Sequence, residues 1–184
     1  MQVKYPSAPL NYTLGRCALV GDPNAPLLDD GCWPRLNLLA AKQLGMVPLE
    51  RWNHPADQNK RPDWEVLREA ADRRAVSFAR IYGVDDMQLS LAMGMPLVVA
   101  FEVDNRFINY KGGVWNGQLS GSKSGHCTSI IGYDFDAPEE YFDGVNSWSA
   151  EWGEGGLYRI SKSCIATLPR FECWAMQVVN AEAA

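Results

Sequence analysis

The chain has 184 residues, carries a formal net charge of −5, and is 47% hydrophobic and 21% charged. This composition is that of an ordinary globular protein, and the length suffices for one domain with a substantial core. The acidic balance and the lack of a Lys/Arg stripe argue against nucleic acid as a partner.

Targeting signals and cysteine usage indicate the compartment. Residues 1–6 do not form the apolar stretch of about 7–15 residues that a signal peptide needs, and no run approaches membrane-spanning length. We therefore expect an intracellular or virion protein without membrane contact. Five cysteines without close pairing favour free thiols, with a Cys164–Cys173 disulfide as the alternative in an oxidising setting. No Cys-x-x-Cys or His-x-x-x-His pattern supports a metal, and no cofactor is predicted.

The first half of the chain is predicted to be mainly helical after an irregular start. Residues 1–30 are rich in Pro, Gly, Asn and Asp and predict loop, with at most a short element around Leu10–Arg16. Pro34–Leu44 predicts a helix, because its apolar residues recur at helical spacing and Gly45 suits a C-terminal cap. Residues 53–62 are predicted to be a polar connection. Two further helices are predicted at Trp64–Arg73 and Asp85–Met93.

Six segments are β-rich or alternate as strands do. They are Ala75–Tyr82, Pro96–Val103, Thr128–Tyr133, Tyr141–Val145, Gly156–Ile160 and Trp174–Val179. The second of them is a continuous apolar run, which predicts burial on both faces. Because most strands follow the helices rather than alternating with them, we expect an α+β architecture with an antiparallel sheet.

Two sequence blocks carry the strongest chemical signal. The first is Ser-Gly-His-Cys at residues 124–127, followed by an apolar strand; the second is Asn-Ser-Trp-Ser-Ala-Glu-Trp-Gly-Glu-Gly-Gly at residues 146–156. Taken alone, His126 is typical of a core or surface histidine, and Asn146-Ser147 of a turn. Taken together, the blocks resemble the histidine and asparagine blocks of papain-like cysteine peptidases.

That resemblance implies a role for three side chains. His126 would be the base that takes and returns the proton of a thiol, and Asn146 would fix the tautomer and orientation of its imidazole. Trp148 would cover the pair and exclude water, which strengthens the hydrogen bond between them.

The resemblance also implies the architecture. It predicts a single papain-like domain over 1–184, with a reduced helical lobe over 1–80 and an antiparallel β-barrel lobe over 81–184 that carries the His/Asn site. Upstream, the turn at Asp30–Arg35 and the helix ending at Gly45 follow the family order. In the family the nucleophilic cysteine opens an earlier helix. Because so few residues precede the turn, we expect that helix to be absent.

Two cysteines are weighed as the nucleophile. Cys32 and Trp33 resemble the family's Cys-Trp pair, and a helix dipole beginning at Pro34 could lower the thiol pKa, but no glutamine stands six residues earlier. Cys17 lies in a Leu-Gly-Arg-Cys-Ala run similar to some members, but Gly21 stops any helix within one turn. The other three are expected to be buried small hydrophobes: Cys127, Cys164 and Cys173.

Some positions depart from the family pattern. Ser149 stands where the family has glycine, Leu157 where it has tyrosine, and Asn53-His54 where it has Pro-Tyr. These departures indicate that the cleft has drifted.

Three functions remain open. One is a degenerate, non-catalytic module that binds a peptide in a cleft lined by the tryptophans Trp33, Trp52, Trp115 and Trp148. At least two of these tryptophans are expected to pack in the core instead. Another is an active cysteine peptidase using Cys32 or a cysteine from a partner chain. The third is a structural part of a large assembly such as a virion, in which another protein chain covers the apolar flank around Leu36, Leu39 and Leu44.

Overall fold

A computed structural model of the chain describes residues 8–52 and 59–178. The chain divides into two compact units, one formed by residues 1–78 and 177–184 and the other by residues 79–176. The predicted polar connection lies mostly outside the described residues. The single domain over 1–184 stays a prediction.

The first unit contains three helices, α1 (Ala8–Val20), α2 (Pro34–Gln43) and α3 (Trp64–Ala70). The prediction of loop over residues 1–30 was therefore wrong for α1, which is 13 residues long. Its apolar periodicity is hidden because polar side chains on it are buried. Asn11 donates from Nδ2 to the Gly45 carbonyl at 3.0 Å, and Arg16 donates from Nη1 to the Leu28 carbonyl at 2.7 Å.

The other two helices of this unit are confirmed, and their ends follow local rules. Pro34 occupies the first turn of α2, and Gly45, just past its end, has φ +100°. Asp63 caps α3 by accepting a hydrogen bond from the Val66 amide at 2.9 Å. A small core joins the helices and consists of Leu10, Leu14, Ala40, Val47, Trp52, Val66 and Ala70.

The remaining elements follow from β1 onward. In chain order they are β1 (Ala75–Arg80), α4 (Gly83–Ala92), β2 (Leu97–Val103), α5 (Asn105–Ile108), β3 (Val114–Trp115), β4 (Ser124–Asp134), β5 (Tyr141–Val145), β6 (Leu157–Ser161), α6 (Lys162–Ile165) and β7 (Glu172–Val178). All six predicted strands and the predicted helix at α4 are confirmed. The sequence did not reveal α5, β3 and α6, which are too short to show a period.

The strands form one seven-stranded sheet in the described residues, in the order β1-β7-β2-β4-β5-β6-β3. The pairs β2/β4, β2/β7, β4/β5 and β5/β6 are antiparallel, and β3/β6 is parallel. The α+β architecture with a largely antiparallel sheet is thus confirmed. The predicted β-barrel is not confirmed, because β1 and β3 lie at opposite edges of a sheet that stays open.

The core of the second unit lies on one face of this sheet. Along β2, fully buried residues alternate with half-buried ones. The sequence predicted burial on both faces, but the residues of the second face are only half-buried. The buried face contributes Leu97, Val99, Phe101 and Val103 to an aromatic-rich cluster. Among the described helices, none combines the length and the apolarity that a membrane span requires.

Candidate active site

His126 lies on β4, where it pairs in register with Phe101 of β2. Asn146 follows the last residue of β5, and its backbone N–H donates a hydrogen bond to the Gly156 carbonyl at 2.9 Å. Because β4 and β5 are neighbours in the sheet, the two side chains meet: His126 Nε2 lies 2.8 Å from Asn146 Oδ1. The structure thus brings together two of the three predicted site residues.

The hydrogen bonds of Asn146 define the tautomer of His126. The backbone amide of Ser147, which can only donate, points at Asn146 Oδ1 from 2.8 Å and so identifies that atom as the oxygen. The imidazole nitrogen that shares this acceptor must therefore carry a proton. In the neutral ring this leaves Nδ1 of His126 with the lone pair that a base needs.

Aromatic rings surround the pair. The Trp148 ring lies over the imidazole with its centroid 4.2 Å away and a tilt of 32°. Phe107 approaches the same imidazole at 6.1 Å, and Trp152 meets Trp148 edge-on at 5.4 Å. These rings exclude water from the His126 to Asn146 hydrogen bond, as the sequence predicted for Trp148.

The environment keeps the imidazole neutral. Burial lowers the pKa of His126 below its usual value, and the hydrogen bond to Asn146 raises it by a smaller amount. At neutral pH the ring is therefore an unprotonated base, which is the state that accepts a proton from a thiol.

Phe107 was not identified from the sequence, and its position depends on a buried acid. Asp104 is 1% exposed, and its carboxylate accepts hydrogen bonds from the amides of Arg106, Phe107 and Ser120. These amides lower the pKa of Asp104 although burial raises it. The Asp-x-x-Phe spacing at the start of α5 is the signal that could have revealed this cap.

The loop after Asn146 contains a strained residue. Ser149, the position where the family pattern has glycine, adopts φ +93°, a region that side chains rarely occupy. Its carbonyl would lie 3.3 Å from a Cβ built on Gly156. The departure at Ser149 thus carries a conformational cost.

Cys32 belongs to the first unit and precedes Trp33, the cap residue of α2. Its thiol donates to the Trp33 carbonyl at a sulfur to oxygen distance of 3.7 Å and packs against Gly15 of α1. Burial raises the pKa of Cys32 to about 11. The helix dipole therefore does not lower this pKa, because Cys32 is half-buried ahead of α2 rather than in its first turn.

The remaining cysteines differ in burial. Cys164 and Cys173 are buried, and burial raises the pKa of each to about 12, which confirms that they pack as small hydrophobes. Cys127 is exposed, so its predicted burial was wrong. Cys17 is half-buried in the last turn of α1.

The four tryptophans differ in burial. Trp52 and Trp115 are 6% and 7% exposed and belong to the cores, which confirms that at least two serve in packing. Trp33 is 56% exposed, whereas Trp148 is partly buried over His126. Among the residues that the structure describes, no three His, Cys, Asp or Glu side chains are grouped as metal ligands would be.

Comparison with known proteins identifies the family of this chain. Residues 41–177 match the model of the papain family cysteine proteases. The chain belongs to this family. Among papain-family relatives, cathepsin B-like cysteine proteinase 6 of Caenorhabditis elegans is 42% identical over 89 residues, covering 45% of this chain and 23% of its own length. Cathepsin B-like cysteine proteinase 4 of the same organism is 30% identical over 138 residues, covering 71% and 41%.

Solved papain-family structures confirm the fold. Xylellain, a cysteine protease from Xylella fastidiosa, has a TM-score of 0.77 at 21% identity and covers 98% of this chain and 72% of its own. The bromelain protease from Ananas comosus has a TM-score of 0.69 at 21% identity, with 96% and 79% covered. At these identities the likeness establishes the fold alone. The chain spans less than half the length of the cathepsin B-like relatives that it matches.

Proposed function

We propose that this chain, as it stands, is a papain-family module that binds peptide-like ligands beside His126 and does not cleave them. The observation that carries this proposal is the packing of Cys32, whose half-buried thiol lies against Gly15 and donates to the Trp33 carbonyl, and burial there raises its pKa to about 11. At pH 7 only about one molecule in ten thousand would hold the thiolate, and the thiolate is the attacking species. A base without an activated thiol can orient a ligand but cannot form the acyl enzyme.

The ligand class follows from the surviving half of the site. His126 Nδ1 is a hydrogen-bond acceptor beside the apolar ring of Trp148, and a peptide offers amide donors and apolar side chains to such a surface. Family membership supports the same class, because the relatives are named as proteinases.

Active-site labelling tests this proposal. The full chain is exposed to a peptidyl epoxide or to limiting iodoacetamide near neutral pH, and labelled cysteines are identified by intact mass and peptide mapping. We expect slow labelling of several thiols at the same rate in wild type and His126→Ala, and no hydrolysis of a fluorogenic peptide. A Cys127→Ser background removes the exposed thiol, which lies next to His126 and would otherwise dominate the reaction.

Rapid labelling of one cysteine that His126→Ala abolishes would overturn the proposal, and the labelled position would name the nucleophile. Labelling of Cys32 in particular would mean that its thiol leaves the Trp33 carbonyl and becomes ionised in the presence of ligand.

A second candidate is an active peptidase whose nucleophile is Cys32 or a cysteine that another chain supplies. The intact pair favours it, because a neutral His126 held at 2.8 Å by Asn146 is ready to accept a proton. Peptide hydrolysis that persists in Cys32→Ser and disappears in His126→Ala would support a cysteine that another chain supplies. Loss of hydrolysis in Cys32→Ser would instead identify Cys32 as the nucleophile.

A partner chain over the first unit remains a proposal as well. Leu44 is 42% exposed, and Leu36 and Leu39 on the same helix are half-buried, so the apolar flank of α2 is partly uncovered. Sedimentation of the purified chain tests this proposal. A stable lone monomer that remains soluble at high concentration would count against a partner at this flank.

A further inference from the structure

A pocket of about 410 Å³ opens in the second unit away from His126, Asn146 and Trp148. Its lining comes from the end of β1, the start of α4 and the segment between α6 and β7, and comprises Arg80, Ile81, Tyr82, Gly83, Val84, Ile165, Ala166, Leu168, Arg170 and Phe171. A volume of this order is in the range that binds small ligands or a single anchored residue.

The floor of the pocket is apolar and held by the core. Ile165 and Leu168 are 4% and 6% exposed, and Val84 and Phe171 pack against the same cluster. These side chains are fixed by packing from behind, so an apolar group entering the pocket would meet a preformed surface.

The rim, in contrast, is cationic. The Arg80 guanidinium lies 5.5 Å from the Tyr82 ring centroid and 5.7 Å from that of Trp174, and no acidic side chain among the described residues lies within 4 Å of it. Arg170 is exposed, and only its Nε is engaged, by Glu102 Oε1 at 3.3 Å. Two carboxylates lie near these arginines: Glu102 beside Arg170, and Glu172, which accepts a hydrogen bond from Trp174 Nε1 at 3.1 Å.

We propose that this pocket binds the C-terminal residue of a peptide whose last side chain is large and apolar. The free carboxylate would bind the arginine rim, where Arg80 is oriented by two aromatic rings. The side chain would cover the floor formed by Val84, Leu168 and Phe171. This site is independent of the proposed function at His126.

Calorimetric titration of the full chain with N-acetyl-Gly-Phe tests the site, with the corresponding C-terminal amide as the matched ligand. We expect saturable binding of the acid and about tenfold weaker binding of the amide, because charge-assisted hydrogen bonds to the carboxylate are lost. Inorganic phosphate serves as a second ligand that offers negative charge without an apolar group, and we expect it to compete poorly.

Variants separate the rim from the floor. Arg80→Gln and Ala166→Phe should each weaken binding of the acid about tenfold, the first by removing a charge and the second by filling the pocket from an exposed position. Arg74→Gln, at an exposed arginine outside the lining, is the matched control and should bind as wild type does. Glu102→Gln should tighten binding severalfold, because it releases Arg170.

Several results would overturn the proposal. Equal binding of the acid and the amide would exclude the carboxylate at the rim, and unchanged binding in both Arg80→Gln and Ala166→Phe would place the ligand elsewhere. Equally tight binding of phosphate would mean that the rim is only an anion site. No saturable binding of the acid at millimolar concentration would mean that the pocket does not hold a peptide terminus.

Discussion

At the scale of single residues, the candidate active site depends on a few hydrogen-bonding and backbone details. The Ser147 amide fixes the oxygen of Asn146, the oxygen fixes the proton on His126 Nε2, and this leaves Nδ1 as the base. The sequence predicted His126, Asn146 and Trp148 because they belong to a recognisable pattern. It did not predict the burial of the Cys32 thiol, since burial depends on contacts with α1 that no local pattern encodes.

Asn146→Asp provides a direct test of the pair. A carboxylate at the position of the amide keeps the shape and places a negative charge 2.8 Å from the imidazole, so the pKa of His126 should rise. NMR titration of the imidazole signals measures this shift. His54→Gln assigns the signals, because the chain has two histidines. Identical titration curves in wild type and Asn146→Asp would show that the two side chains are not bonded in solution.

Ser149→Gly should relieve backbone strain. A non-glycine residue at φ +93° costs on the order of 1 kcal/mol. The hydrogen bond that would be lost, which the Glu151 amide donates to Ser149 Oγ, is long at 3.3 Å and exposed. We expect the free energy of unfolding to rise by about 0.5–1 kcal/mol in urea denaturation. Ser147→Gly is the control, because Ser147 has an ordinary φ and should gain nothing. Equal effects of the two changes would argue against strain at Ser149.

At the scale of elements, the long helices and strands were predictable and the short ones were not. Helix α2 and strand β2 show clear periodicity, whereas α5, β3 and α6 extend over two to four residues each and are set by tertiary contacts. Helix α1 was hidden for a different reason: its buried Asn11 and Arg16 are polar, and bonds to partners distant in sequence make their burial possible.

A glycine on β5 permits close packing between two strands. A Cβ on Gly144 would lie 2.1 Å from the Tyr158 ring, and the Tyr158 hydroxyl is bonded to Thr128 Oγ1 at 2.6 Å in the core. Gly144→Ala should therefore lower the free energy of unfolding by about 2–3 kcal/mol in urea denaturation. Gly132→Ala, whose nearest neighbour is Asp143 Oδ2 at 3.4 Å, is the matched control and should cost far less. A tolerated Gly144→Ala would mean that the Tyr158 ring can move.

Asp104→Asn should weaken the start of α5. It removes the charge from a buried cap that accepts from three amides, so we expect a loss of about 1–2 kcal/mol at pH 7. The pKa of Asp104 is lowered from 3.8 in the folded state, so its contribution is complete above pH values near 3.8 and is lost as the pH falls through the lower folded value. The difference in free energy of unfolding between wild type and Asp104→Asn, measured by urea denaturation, should be smaller at pH 3 than at pH 7. A difference that grows on acidification would contradict this sign.

At the scale of the whole molecule, the family and the α+β fold could be predicted because two blocks and a set of strands act together. The open sheet could not, since closure depends on strand tilt and register rather than on composition. The state of the cysteines could be predicted in part. The odd count indicated thiols, and the structure contains all five in that form.

Stability should therefore be independent of reductant. The midpoint of thermal unfolding should be the same with and without dithiothreitol, and five thiols should react with Ellman's reagent in denaturant without prior reduction. In the native protein the exposed Cys127 should react first and the buried Cys164 and Cys173 last. A midpoint that falls on reduction would instead indicate the Cys164–Cys173 disulfide.

The position of β7 has a consequence for synthesis of the chain. This strand, the last in the described part of the chain, lies between β1 and β2, which are made much earlier. Until residues 172–178 have left the ribosome, β1 has no neighbour in the sheet and one edge of β2 stays open. Such edges can pair with other chains, and such long-range pairing is slow to form. A growing chain would therefore stay prone to aggregation until residues 172–178 have emerged.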